Sequence, residues 1–190
     1  RVLGGGEKGS NAHQTEHYKP SEKFAKRVLE LQHILDSDNY DIMKKVELGA
    51  IYADDKNYEL AIETIMAAQQ GGADGHLVYG ALGKAYYLLW ERDCKYDHLN
   101  RAFNCFQKMA SRHMRPKAKY LFFMARCYEG SGDYNSAVHL LGDIINEYPE
   151  FEDLPEVIFH AACLLKHLGE YSVAQDYLAF LASHPVKKIT

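Results

Sequence analysis

His160, Cys163 and His167 stand at i, i+3 and i+7, so a helix carries all three on one face. That is a donor set for a soft divalent metal such as zinc. No fourth ligand stands at a matching spacing, and side chains lining a groove account for the same pattern, so no metal is expected. Asp36, Ser37 and Asp38, with Glu47 eleven residues beyond Asp36, have the outline of a calcium loop. Asp41 stands where that loop needs glycine and Tyr40 where it needs a ligand, so a helix stop followed by an N-cap is the better reading. Asp93, Asp97 and His98 read as a solvated loop, and His13 and His17 belong to a polar, glycine-rich leader. There is no phosphate-binding glycine loop, no Gly-x-Ser-x-Gly and no His-Glu-x-x-His. Without a convergent nucleophile, base or metal, the chain reads as a non-enzyme that needs no cofactor.

The elements that position these residues are bounded by composition. The chain has 190 residues, 47% hydrophobic and 25% charged, which suits one domain or a short array of repeats. A net charge of −4 argues against a nucleic-acid partner, because phosphate binders carry a basic excess. No apolar run approaches the roughly 20 residues of a membrane span, so no membrane partner is expected. Cys94, Cys105, Cys127 and Cys163 lie 11, 22 and 36 residues apart, with no Cys-x-x-Cys. They read as free thiols of a reducing compartment, which places the chain in the cytoplasm. The sequence begins at Arg1 with no signal peptide, as an excised or processed fragment would.

Residues 1–19 hold few apolar side chains and are expected to form a flexible tail or linker. From Ser21 the period is helical: Phe24, Val28, Leu31 and Leu35 line one face, and the Asp36–Asn39 cluster ends the helix. Eight more helices are expected at about 40–53, 56–70, 75–90, 97–112, 117–130, 133–147, 155–168 and 171–183. Pro116, Pro149, Pro155 and Pro185 all fall at expected helix ends.

The helices recur in pairs with a shared pattern. The first pair carries Gly49, Tyr52, Tyr58, Ala61 and Ile65; the second Gly83, Tyr86, Ala102 and Phe106. The third carries Ala125, Tyr128, Tyr134, Ala137 and Leu141; the fourth Ala162, Leu165, Tyr171, Ala174 and Leu178. Gly49 and Gly83 are 34 residues apart. The small residues allow helices to approach, and the large ones plug the next layer. One pair cannot cover its own apolar face, so pairs must stack.

This pattern resembles the tetratricopeptide repeat (TPR) family over about residues 42–185. The resemblance implies an all-α fold, an α-solenoid of helix–turn–helix repeats wound into a right-handed superhelix. The family's tryptophan near the start of each first helix is absent; Lys45, Tyr79, Leu121 and Ile158 stand there. The expected organisation is tail 1–19, an N-terminal helix 20–38 (a cap or an incomplete repeat), then repeats 40–73, 74–116, 117–150 and 154–185, and a tail 186–190. The second repeat should hold an inserted loop at 91–98. Ala25 and Leu29, 36 residues before Ala61 and Ile65, suit an incomplete repeat.

In such a stack the first helices line the concave face. The expected peptide groove is Glu47 from the first pair, Lys84 and Tyr87 from the second, Lys119, Phe122, Phe123 and Arg126 from the third, and Phe159, His160 and His167 from the fourth. Phe122 and Phe123 fit core packing between repeats equally well. Aromatic side chains and arginine are the residue types of binding hot spots. The family's carboxylate clamp for chaperone tails is not built: the matching positions hold Val46, Ala50, Ala81, Lys119 and Phe123, and only Lys119 fits. The resemblance therefore implies a non-catalytic scaffold that holds a partner's peptide or helix. The alternative is a structural subunit that stacks through its ends and convex face or self-associates. On the last helix, Ala174, Leu178 and Leu181 should face its own pair, leaving Tyr177 and Phe180 as a stacking end for a continued chain or a second copy.

Overall fold

The structure is a computed structural model that describes residues 18–37, 41–73, 75–111 and 117–183. Among these, nine helices and no strand occur: α1 Glu22–Ser37, α2 Ile42–Asp54, α3 Tyr58–Gln70, α4 His76–Asp93, α5 Tyr96–Ser111, α6 Lys117–Ser131, α7 Tyr134–Glu147, α8 Leu154–His167 and α9 Tyr171–Ser183. The leader with His13 and His17, the helix stop at Asp38–Asn39, Pro116 and the segment 184–190 lie outside the described residues. The helices form two compact units, one ending at Gly72 and one beginning at Ala73. In the second, helix–turn–helix pairs stack on their neighbours, the architecture of an α-solenoid, and in the first α1 packs on a single pair.

The first unit holds α1 and the α2–α3 pair. Side-chain caps start both helices of the pair: Asp41 accepts from the Lys44 amide at 3.0 Å and Asn57 from the Leu60 amide at 3.4 Å. Asp41 is thus an N-cap, as the helix-stop reading requires. Gly49 is where the pair comes closest, since a Cβ there would lie 2.4 Å from Ile65 Cγ1. On the other side of α2 lies α1, which buries Val28 and Leu31. Leu29 stands exposed, so α1 does not use the Ala25–Leu29 stripe as its packing face. Gln32 donates to the Tyr52 hydroxyl at 3.1 Å and ties α1 to α2. The segment before α1 corrects the expected tail at its end. Tyr18 donates its hydroxyl to Asp55 and sets its ring edge-on to Tyr52 at 5.0 Å, and the Ser21 amide donates to the same carboxylate at 3.0 Å.

The second unit holds three pairs, α4–α5, α6–α7 and α8–α9, each helix packed on the next in sequence. Gly83 repeats the role of Gly49, with Phe106 Cε1 2.6 Å from where its Cβ would stand. Ala102, Ala137 and Ala174 are buried at the helix crossings. A core cluster of Ala118, Phe122, Ala125, Ala137, Leu141, Ile144, Val157, Ala161 and Leu164 joins the last two pairs, with Tyr177 packed against it.

The inserted loop at 91–98 does not exist as a loop. Helix α4 runs on to Asp93 and α5 begins at Tyr96, so the extra residues lengthen both helices. Nothing from Trp90 to Asp93 breaks a helix, and the stop comes only at Cys94, which caps α4 in the left-handed conformation at φ 55°. Asp93 then accepts from the Lys95 amide and from His98 Nδ1, both at 3.1 Å, which closes the turn.

Candidate functional site

The side chains that the structure brings together lie across the first helices of the second unit. Tyr87 comes from α4, Arg126 and Glu129 from α6, and His160 from α8. Arg126 Nη2 donates to the Tyr87 hydroxyl at 3.2 Å, and its Nη1 lies against the His160 ring, 2.5 Å from Nε2 and 3.1 Å from Nδ1. Glu129 Oε2 lies 3.4 Å from Arg126 Nε and 3.5 Å from His160 Nδ1, while Glu156 reaches the other imidazole nitrogen at 3.9 Å. Burial pushes the Tyr87 phenol up to about 12, so it stays protonated at neutral pH. The His160 hydrogen bond, and behind it the Arg126 charge, hold the Glu129 carboxyl below its usual range against the effect of burial. One guanidinium thus links three helices, and this ordered polar strip is the centre of the candidate site.

Around this centre the expected groove residues divide. Phe159 is 53% exposed on α8, and Lys84 and Lys119 are exposed on α4 and α6. Phe122 is only 7% exposed and belongs to the core, with its ring against His160 at 5.7 Å. Phe123 is partly buried, stacking on the core ring of Phe106 at 4.8 Å and lying 6.2 Å from Tyr87. These two adjacent rings leave α6 in different directions because α6 has neighbours on more than one side, α5 and α7 as well as the first helices.

The remaining calls separate. Glu47 belongs to the first unit, where Arg27 Nε donates to it at 2.9 Å and Lys44 lies at 3.2 Å. These partners, Arg27 foremost, hold its carboxyl below the usual value against the effect of burial. His167 packs against Tyr134, ring centroids 4.6 Å apart in a T-shaped arrangement. Cys163 is exposed. Among the described residues no three His, Cys, Asp or Glu side chains group as a metal site. On α9 the expected orientation is corrected: Tyr177 packs on the core cluster, and Leu178 is 44% exposed. Phe180 is half exposed.

Sequence reasoning missed the partnership of Tyr87, Arg126 and His160. They are 39 and 34 residues apart, one repeat or slightly more, which is the signal that could have aligned them. It also missed Trp90 and Glu91, assigned to a helix end and a loop; continuing the helical period past residue 90 would have placed both on α4.

No family model matches the chain, and no curated protein matches it. Solved structures do. A structure of MamA protein matches at a TM-score of 0.67 and 16% identity, over 88% of this chain and 90% of that one. YrrB, described as a TPR protein with an unusual peptide-binding site, matches at 0.65 and 14% identity, over 86% and 79%. The nearly identical TPR-like repeats of a putative kinesin light chain from Podosopora anserina match at 0.62 and 12% identity, over 85% and 89%. Among the described residues no helix is long and apolar enough to cross a membrane. The likeness to these structures is one of fold, and that fold is the helix–turn–helix solenoid of TPR proteins.

Proposed function

We propose that the chain is a non-catalytic protein-interaction scaffold, and that the first-helix face of its second unit binds a peptide or helix of a partner protein. The observation that carries this reading is the Tyr87–Arg126–His160 strip, which lies beside the exposed Phe159, its ring 6.3 Å from that of His160, with the exposed Lys119 two turns before Arg126 on the same helix. Residues already held by one another lose little freedom when a ligand arrives. An exposed ring next to an ordered polar strip offers a partner both an anchor and hydrogen-bonding edges. The chemistry is that of recognition, since no nucleophile in the strip stands beside a free base. YrrB, which shares the fold, is described as having a peptide-binding site.

The alternative is a subunit that stacks on another copy of itself. Leu178 favours it, being 44% exposed at the repeat position where Ile65, Phe106 and Leu141 are 1% exposed or less. One experiment separates the two readings. The wild-type chain and a Lys119→Glu, Phe159→Ala variant are used side by side to capture proteins from cell extract, with light scattering on both. Both replaced side chains are exposed, so stability should change by no more than about 0.5 kcal/mol each. The scaffold reading expects a monomer whose captured partner is lost in the variant. Unchanged capture, together with self-association in both proteins, would replace it with the subunit reading.

A further inference from the structure

At the C-terminal ends of α4 and α6 lies a pocket of about 390 Å³, within the roughly 300–1,000 Å³ range of ligand sites. It is lined by the rings of Tyr87 and Trp90 together with Glu91, Arg126 and Glu129. The two rings stand 5.4 Å apart and tilted by 49°. Trp90 can lie against α6 only because residue 130 is glycine: a Cβ there would come within 2.4 Å of indole Cη2. The indole is therefore held in place before any ligand arrives, and it is only partly buried.

The charges select the occupant. Arg126 is the one cation of the lining, and three of its five N–H donors are engaged: Nη2 on Tyr87 at 3.2 Å, Nη1 on His160, and Nε 3.4 Å from Glu129. An entering carboxylate or phosphate would find those donors in use and would face Glu91 and Glu129. An apolar side chain would strip water from Glu91 and Glu129, whose lone pairs Tyr87, Arg126 and His160 fill only in part, which is costly. A cation meets aromatic faces and carboxylates together, the combination that attracts guanidinium and ammonium groups. Arginine fits better than lysine, because its flat guanidinium can stack on the indole while its edge donates to a carboxylate.

We propose that this pocket receives an arginine side chain of the partner peptide, at the α4–α6 end of the face. The proposal rests on the scaffold reading above and adds the chemistry of one ligand residue to it. It assigns Glu91 and Trp90 as specificity-determining residues.

Trp90 is the only tryptophan of the chain, so its emission reports on this pocket alone. The probe is a tri-arginine peptide, acetylated and amidated at its ends, titrated into the intact chain at low salt. A tri-citrulline peptide, with the same shape and no charge, and a tri-glutamate peptide serve as controls. The expected result is a saturable change of Trp90 emission with tri-arginine, weakened by added salt. Neither control should give it at tenfold higher concentration. Glu91→Gln, at an exposed position, should weaken tri-arginine binding by about tenfold, the equivalent of one lost charge-assisted contact. Gly130→Ala, which displaces the indole, should abolish the change, with circular dichroism to show that the helices remain. An equal response to tri-citrulline or tri-glutamate, no response to tri-arginine, or full affinity in Glu91→Gln overturns the proposal. If it fails while the Lys119→Glu, Phe159→Ala variant still loses its partner, only the arginine pocket falls. If that variant keeps its partner, the scaffold reading falls first.

Discussion

Helices α7 and α9 are the second helices of neighbouring pairs and carry the same repeat pattern, yet they meet different surroundings. Ala137 and Ala174 are both buried where each helix crosses its partner. Four residues on, Leu141 is 1% exposed and Leu178 is 44% exposed. The difference comes from the next element: α7 lies between α6 and α8, whereas α9 packs on α8. The small residue serves contact within a pair, while the large residue also meets the first helix of its own pair, as Ile65 does at Gly49 and Phe106 at Gly83, and is sealed only by the next pair. A repeat thus encodes two packing requirements in one stripe, and only the first is met in full by the pair itself.

The largest expected effect tests what the two helices share. Tryptophan at either alanine has no space to enter, so Ala137→Trp and Ala174→Trp should each cost more than the roughly 1–3 kcal/mol of ordinary overpacking. Thermal melts followed by circular dichroism would show both variants losing their cooperative transition. A wild-type melt in either would mean that the crossing is not where the structure puts it. The next effect tests where they differ. Leu141→Ala leaves a cavity in a sealed core and should cost about 2–5 kcal/mol, while Leu178→Ala should cost well under half of that. Urea midpoints of the two variants, measured in parallel, check this, and equal losses would contradict the exposure of α9.

The smallest effect concerns the polar strip beneath this packing. Glu129 is held ionised below the ordinary carboxyl value of about 4.3. A group whose pKa is depressed on folding stabilises the fold above its unfolded pKa and loses that contribution as pH falls through its folded value. The urea midpoints of wild type and Glu129→Gln should therefore differ by a constant amount above about pH 5, and the gap should narrow as the pH falls below the ordinary carboxyl value of about 4.3. A gap that does not narrow at all as the pH is lowered would mean that Glu129 acts through packing and not through its charge.

The helices were legible because their breaks are made of residues with local effects. Asp41, Asn57 and Asp133 cap helices with their own side chains, and Gly132 and Gly169 adopt positive φ in the turns. Alignment of Gly49 with Gly83 revealed the pairing, because close approach at one position demands the same small residue each time. What could not be read were choices set by distant neighbours. Phe122 and Phe123 are adjacent, and only the positions of α5 and α8 decide which ring goes where. Arg126 looked like an available groove cation, and its commitment to Tyr87 and His160 depends on side chains a repeat away on either side. The loop at 91–98 failed for a different reason: extra residues against a fixed period were taken for a break, though none of them was a helix breaker until Cys94.

The lengthened α4–α5 hairpin has a consequence for how such chains can vary. Helix α4 has 18 residues and α5 has 16, against 13 in each of α2 and α3. Each added residue advances a helix by about 1.5 Å, so arms extended together remain antiparallel and in register. The growth happens at the tip, where Asp93 gathers the Lys95 amide and His98 to close the bend. A gene that gains codons there in matched numbers can extend one hairpin outward while the contacts at Gly83 and Phe106 stay as they were. Length variation can thus accumulate at the tips of such a stack, and new surface, the Trp90–Glu91 end of α4 included, can arise without any change to the repeat that supports it.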